Sequence, residues 1–392
     1  CPPETSEGYS NMNILFIGPY RQEDEWGHKS RTVLKCLQGT EHKITSRPIY
    51  LSSSNTYNQY FELAETVLSD EYDILIQYVL PSFAVYDGNF KKRIGIFHTE
   101  TIPNNIPIAE LTHECLMDEI WVDSKVVATQ LQNIFTYYAA PENASTIVKA
   151  IPPVLNLNEL PETPPVQSIR DTSPNLKDKF IFYYIGNMLE SQTAFKEIYT
   201  AYLNSFTIQD PVALIIALDT PLPSQAIEEC LRNHKKDISY NIPERSHPLV
   251  NVVSPRQHFL STHERLSIHS GGDCMIDLAY SMTNTSSVLE GALYHSMPIA
   301  NRNGSIHEWL GDENVWCVDS YEEICMRNKD TIPNTLYRYS SGESWYRPTI
   351  KSIVKIMKQA YANKFKRDNK IKANKQLRQS FQNTSYDNYI SI

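Results

Sequence analysis

The residues best suited to chemistry lie in the stretch Asp273-Cys-Met-Ile-Asp-Leu-Ala-Tyr-Ser-Met-Thr-Asn-Thr-Ser-Ser-Val-Leu-Glu-Gly-Ala-Leu293. An apolar strand runs into a loop of small polar residues, Ser281 to Ser287, and then into a helix. The hydroxyls of Thr283, Thr285, Ser286 and Ser287, with backbone N–H groups at the positive end of a helix, suit a diphosphate. Glu290, in the first turn, is placed to accept hydrogen bonds from ribose hydroxyls. The same residues also serve a helix that binds nothing: Ser and Thr cap it, and Glu290 complements its dipole. A second candidate group is Phe97-His98-Thr99-Glu100, at the end of an apolar run. Both polar side chains are expected to face a cleft there, and His98 can act as a base or hydrogen-bond donor at neutral pH. A lone histidine at a strand end also has a purely structural use. The loop Glu23-Asp-Glu-Trp-Gly27-His-Lys-Ser30 brings Gly27 to a helix start, where the backbone can approach a ligand closely.

The elements that position these groups follow a repeated pattern. Asn13–Gly18 is a short apolar run ending in Gly and reads as a buried parallel strand, followed by a helix with Val33, Leu34 and Leu37 on one face. Further strands are expected at 72–78, 92–98 and 118–124, with helices at 60–68 and 125–135. Prolines then crowd Ile151-Pro-Pro-Val and Leu160-Pro-Glu-Thr-Pro-Pro165, which marks a stiff connector at about 150–178. The pattern restarts at Phe180–Gly186 and continues with strands at 212–217, 250–253, 274–278 and 298–300, with helices at 193–206, 225–234 and 287–295. The expected fold class is therefore α/β, with two Rossmann-like domains facing each other across a cleft: 12–150 and 178–345. Residues 346–392 are expected to form a helix and a basic tail that cross back toward the first domain. Lys364 to Arg378 carries seven Lys or Arg against one Asp, a solvated helix or a patch for a membrane surface or nucleic acid.

The net charge of −9 over 392 residues argues against non-specific nucleic-acid binding by the body of the chain. The seven cysteines are widely spaced, with no C-x-x-C pair, so neither a zinc site nor a disulfide framework is suggested and a reduced cytoplasmic setting is expected. No apolar run is long enough to span a membrane. Residues 1–11 are polar without an apolar signal core, and Met12, directly before the first strand, is read as the start of the folded chain.

The order strand, polar loop, Leu289-Glu-Gly-Ala-Leu293, small residue, Met297-Pro-Ile299 resembles the donor-binding signature of retaining GT-B glycosyltransferases, the group 1 (family 4-like) enzymes. Asp118-Glu-Ile-Trp-Val-Asp-Ser124, Phe180–Gly186, Val154 to Glu162, Asn303-Gly-Ser-Ile-His-Glu308 and Trp345 to Tyr361 resemble other parts of that family, in order, from Met12 to about Tyr361. The resemblance implies a nucleotide-sugar-dependent hexosyltransferase-like enzyme, working with retention and without a metal. The donor is expected to be a UDP- or GDP-sugar held by the second domain at Gly186, Asn187, the Ser281–Ser287 loop and Glu290. The acceptor is expected to enter from the first domain near His98 and Glu100. It could be a glycan, a lipid-linked glycan, a protein or a modified nucleic-acid base. There are departures. Where the family carries an Arg and then a Lys after the first donor-domain strand, this chain has Asn187 and, roughly, Gln192, and the first of the two family glutamates falls on Met282. A leaving diphosphate needs positive charge, for which Lys196 and Arg302 are substitutes. The same departures keep two other readings open: a degenerate donor-binding subunit without catalysis, and a sugar-nucleotide epimerase or hydrolase on the same fold.

Overall fold

The computed structural model describes residues 11–51, 71–85, 87–97, 99–104, 114, 116–138, 145–162, 166–238, 246–255, 259–283, 286–294, 298–325, 342–363, 376–381 and 385–390. Two six-stranded parallel sheets organise it. The first is built from β1 (Asn13–Gly18), β2 (Lys43–Pro48), β3 (Ile74–Tyr78), β4 (Lys92–Ile96), β5 (Glu119–Val122) and β6 (Ile147–Ala150) in the order β2-β1-β3-β4-β5-β6. Its described helices are α1 (Glu25–Gln38) and α2 (Lys125–Tyr138). After the connector, which holds the short α3 (Ile169–Thr172), comes the second sheet. It comprises β7 (Phe180–Gly186), β8 (Val212–Leu218), β9 (Leu249–Val253), β10 (Cys274–Asp277), β11 (Ile299–Asn301) and β12 (Trp316–Val318), in the order β12-β11-β10-β7-β8-β9. Around it lie α4 (Phe195–Ser205), α5 (Ser224–Ile238), α6 (Thr262–Gly271), α7 (Ser286–Leu293) and α8 (Ser305–Leu310). An antiparallel pair, β13 (Ser320–Ile324) with β14 (Ser344–Pro348), and helix α9 (Ile350–Ala362) follow in the chain.

Parallel strands covered on both faces should read as unbroken apolar runs, and β8, Val-Ala-Leu-Ile-Ile-Ala-Leu, is buried at all seven positions. The second sheet has the strand order in which β7 and β10 lie side by side while their connections leave in opposite directions. That switch point opens a crevice at the carboxyl ends of the strands. The first sheet has a corresponding reversal between β1 and β3. No helix among the described residues is long and apolar enough to cross a membrane.

Helix α1 begins earlier than its apolar spacing suggests. The Asp24 side chain accepts from the Gly27 N–H at 2.8 Å and caps the helix, so Glu25 to Lys29 form its first turn rather than a loop. Gly27 sits where a Cβ would stand 1.9 Å from the Gln22 carbonyl oxygen. A glycine is required there by the close approach of the preceding turn, not by a ligand.

The C-terminal segment takes a different course from the expected one. Helix α9 does not return to the first domain: Ile353, Ile356, Met357 and Ala360 join the core of the second, packed with α4. The crossing is made farther along. Leu377 and Phe381 pack against the opposite face of the second sheet, and Tyr386 and Ile390 enter the core beneath the first. Tyr386 stacks on Trp121 with ring centroids 5.7 Å apart and planes within 10°. Residues 364–375 of the basic stretch lie outside the described residues, as does the helix expected at 60–68. Because Tyr386 is 6% exposed and part of the first core, Tyr386→Ala should cost about 2–4 kcal/mol of stability. Urea unfolding followed by tryptophan fluorescence checks it; an unchanged midpoint would mean that the tail does not contribute to that core.

Candidate active site

A cavity of about 320 Å³ opens where the carboxyl ends of the two sheets face each other. From the second domain it is lined by Tyr184 to Asn187 at the end of β7, by Glu190, Gln192 and Thr193, by Asp219 and Thr220 after β8, and by Phe259, Leu260 and Arg265 around the start of α6. Asp277, Ala279, Ser281, Thr283, Ser286 and Ser287, from β10 to the first turn of α7, complete that wall. The first domain contributes Asp24, Glu25, Trp26, His28 and Lys29 from the start of α1, and Glu100. The expected polar loop, Gly186, Asn187 and Glu100 therefore share one cavity. His98 and Thr285 lie outside the described residues.

Three expected binders are elsewhere. Gly27 is buried within the first turn of α1 and is not part of the lining. Lys196 is exposed on α4, away from the lining. Arg302, beyond β11, is engaged by Asp319 at 3.2 Å and Asp312 at 3.4 Å, also outside the cavity.

Glu290 also differs from expectation. It is 4% exposed and does not line the cavity. Its carboxylate accepts from Arg265 Nε at 3.2 Å and lies 3.5 Å from His28 Nε2 and 3.6 Å from His269 Nε2. Burial alone would raise its pKa, but the Arg265 charge and the two histidines outweigh burial and hold it well below the usual carboxylate range. His28 belongs to α1 of the first domain, so this buried cluster spans the cleft. Burial and the Arg265 charge lower the His28 pKa against the pull of Glu290, which leaves the ring neutral at pH 7. On the far side His269 Nδ1 meets Tyr183 Oη at 2.9 Å. Glu290 thus positions Arg265 and His28, which do reach the cavity.

The positions that depart from the family signature have specific occupations. Asn187 Nδ2 and Gln192 Nε2 both donate to the Glu190 carboxylate, at 3.2 and 2.9 Å. Where the resembling enzymes carry a cation pair, this chain has two amides turned onto an acid. Met282 is 1% exposed and packs into the core of the first domain, while its N–H donates to the Glu100 carbonyl at 2.8 Å. Six carboxylates line the cavity: Asp24, Glu25, Glu100, Glu190, Asp219 and Asp277. Facing them are Lys29 and Arg265. Burial, reinforced by Glu25 and Glu190, pushes Asp219 up to about 7, so its charge is only partly present at neutral pH. Burial disfavours the Lys29 ammonium, but Glu25, Asp123 and Glu100 outweigh it and raise its pKa.

The domains are clasped at a second place. Glu308 on α8 accepts from Ser124 Oγ at 2.9 Å and from the Lys125 N–H at 2.6 Å, capping α2 across the interface. Beside it Trp309 Nε1 donates to the Asp123 carbonyl at 2.6 Å, and the Lys125 ammonium lies 4.8 Å from the Trp309 ring centroid. Ile102 and Ser344 exchange backbone hydrogen bonds of 2.7 and 3.2 Å, a third link.

The residues that sequence reasoning missed are Glu190, Asp219, Asp277, Arg265, Lys29 and Phe259. The strand-end position of Asp219 and Asp277 was the available signal, because ligands of such sheets collect there.

Breaking a buried pair by removing one charge typically costs about 3–5 kcal/mol, since the partner stays buried and uncompensated. Glu290→Gln is therefore expected to lower unfolding stability by about that amount. With its pKa held below the ordinary 4.5, the Glu290 contribution is fully present above that pH and is lost as pH falls through the folded value. The variant should accordingly lose part of the acid sensitivity of the parent. Urea titrations of both proteins from neutral to acid pH read this; equal stability at neutral pH would contradict the structural role.

No protein-family model matches the sequence, and no curated protein matches it. Solved structures do. The N-terminal domain of Candida albicans trehalose-6-phosphate phosphatase is similar at a TM-score of 0.64 and 11% identity, covering 97% of each chain. A trehalose-6-phosphate structure from E. coli bound with UDP-2-fluoro glucose is similar at 0.61 and 11%, covering 94% of this chain and 96% of that one. Sucrose-phosphate synthase from Thermosynechococcus elongatus is similar at 0.59 and 12%, covering 96% of both chains. At such identities the likeness speaks for architecture, and with the two facing parallel sheets it establishes that this chain has the GT-B fold.

Proposed function

We propose that the chain moves a sugar, with retention, from a nucleotide-sugar donor to an acceptor that approaches from the first domain. The observation that carries this reading is the cavity of about 320 Å³ at the switch point of the second sheet. It is walled by a hydroxyl-rich loop at the start of a helix and closed from the opposite side by α1 and Glu100. Neighbours of the same fold include one solved with UDP-2-fluoro glucose and others named as synthases of sugar phosphates, which supports a UDP-sugar donor.

In this reading the diphosphate rests on Thr283, Ser286, Ser287 and the first N–H groups of α7, which supply fixed donors where charge grows on the leaving group. Lys29 and Arg265 supply the positive charge that Asn187 and Gln192 do not. Glu100, and His98 two residues before it in the chain, handle the sugar and acceptor. The acceptor class is a glycan, a lipid-linked glycan, a protein or a modified nucleic-acid base.

A second reading has a specific observation behind it. The Asn187–Glu190–Gln192 arrangement and the burial of Met282 remove three groups that the resembling enzymes use. A donor-binding subunit without turnover would have that character.

Single-turnover transfer from UDP-glucose, with donor binding measured by calorimetry on the same preparation, separates the two. Catalysis predicts that Glu100→Gln and His98→Ala each slow turnover by about a hundredfold or more, the scale of a general acid–base group. Donor affinity and melting temperature should change little. Donor binding without any turnover in the parent protein supports the binding subunit. Variants that melt earlier but keep full activity would remove both residues from the chemistry.

A further inference from the structure

On the second domain, outside the cleft lining, three donor atoms of different chemistry converge. His307 stands on α8, Asp312 in the turn that follows and Cys317 on β12. His307 Nε2 lies 3.0 Å from Asp312 Oδ1, Cys317 Sγ lies 3.4 Å from the same oxygen, and all three ligand atoms are within 4.8 Å of one another. The turn that brings them together is held by its own bonds. Gly311 takes a φ of +72°, where a residue without Cβ is favoured, and its N–H donates to the His307 carbonyl at 2.9 Å. Asn314 Nδ2 then donates to the Leu310 carbonyl at 2.6 Å.

The protonated arrangement is crowded. Asp312 Oδ1 faces the imidazole, the thiol and also Arg302 Nη1 at 3.4 Å, three donors for one oxygen with two lone pairs. A divalent cation relieves this. The thiol proton leaves to solvent, the imidazole carries its proton on Nδ1, and the cation accepts a lone pair from each of sulfur, nitrogen and oxygen. Thiolate and carboxylate together balance its two charges, and Arg302 keeps Asp319 as a partner. Ligand atoms around tetrahedral zinc, at about 2.0–2.3 Å from the metal, stand roughly 3.3–3.6 Å apart. The contacts of 3.0 and 3.4 Å are within a few tenths of an ångström of that. A set of one sulfur, one nitrogen and one oxygen favours zinc over magnesium or calcium.

We propose that His307, Asp312 and Cys317 form a three-ligand zinc site, with water as the fourth ligand on the exposed side of Asp312. Such a metal fastens α8 to β12 directly behind Glu308 and Trp309, the residues that clasp the first domain.

The protein, freed of metal, is titrated with Zn²⁺ against a chromophoric chelator, and separately with Co²⁺. One equivalent should bind, with release of about one proton per zinc at neutral pH and a thiolate-to-cobalt charge-transfer band in the Co²⁺ form. His307→Ala and Cys317→Ser should each weaken binding by more than about a hundredfold, a ligand loss exceeding the usual effect of supporting partners. If Cys317→Ser folds poorly, protection of Cys317 from alkylation by Zn²⁺, present in the parent and absent in His307→Ala, reads the same contact. No bound equivalent, or a cobalt band unchanged in Cys317→Ser or His307→Ala, would overturn the site.

Discussion

Burying a carboxylate costs several kcal/mol unless its surroundings restore what water supplied. Glu290 meets that requirement with partners from both halves of the molecule: Arg265 and His269 from α6, and His28 from α1 of the first domain. The start of α1 therefore sits where it does partly because a charge in the other domain needs it. With α1 in place, Asp24, Glu25, Trp26, His28 and Lys29 become a wall of the cavity. Met282, buried in the first core, and Glu308, capping α2, hold the same closed arrangement from either side.

Seen this way, the motifs that resemble a glycosyltransferase family have two jobs. Ser124 ends one of them and Glu308 ends another, and the two meet across the interface. The Leu-Glu-Gly-Ala-Leu motif supplies the buried carboxylate. For the diphosphate of the proposed donor the surface of the cavity is unusual: six carboxylates against Lys29 and Arg265. The charge on Asp219 is reduced by burial and by its acidic neighbours, which lessens the repulsion without removing it. Fixed hydroxyls and helix-end N–H groups then matter more than they would beside an Arg and Lys pair.

Much of the fold was legible because central parallel strands are apolar on both faces. Asn13–Gly18 and Phe180–Gly186 stand in the structure at the same residues as in the sequence reading. Three of the four edge strands were not legible; the fourth, Leu249–Val253, was. Lys43–Pro48 is polar at alternate positions, Ile147–Ala150 is four residues long and Trp316–Val318 three, and none presents a run that periodicity can detect. At the site, the hydroxyl loop was readable because a strand, small polar residues and a helix follow one another in the chain. Arg265 was not, because its partner Glu290 is 25 residues away and only the packing of α6 on α7 joins them. Neither was the true course of the tail, since Tyr386 gives no sign in the sequence that it will stack on Trp121.

The proposed function requires one ligand to be held by both domains at once. Hydrogen–deuterium exchange with and without UDP-glucose addresses it directly, by reading the peptides that cover 24–29, 186–193 and 281–287. Binding in the cleft predicts slowed exchange in all three together, including the first-domain peptide at the start of α1. Protection confined to the second domain, or absent from all three at saturating donor, would contradict it.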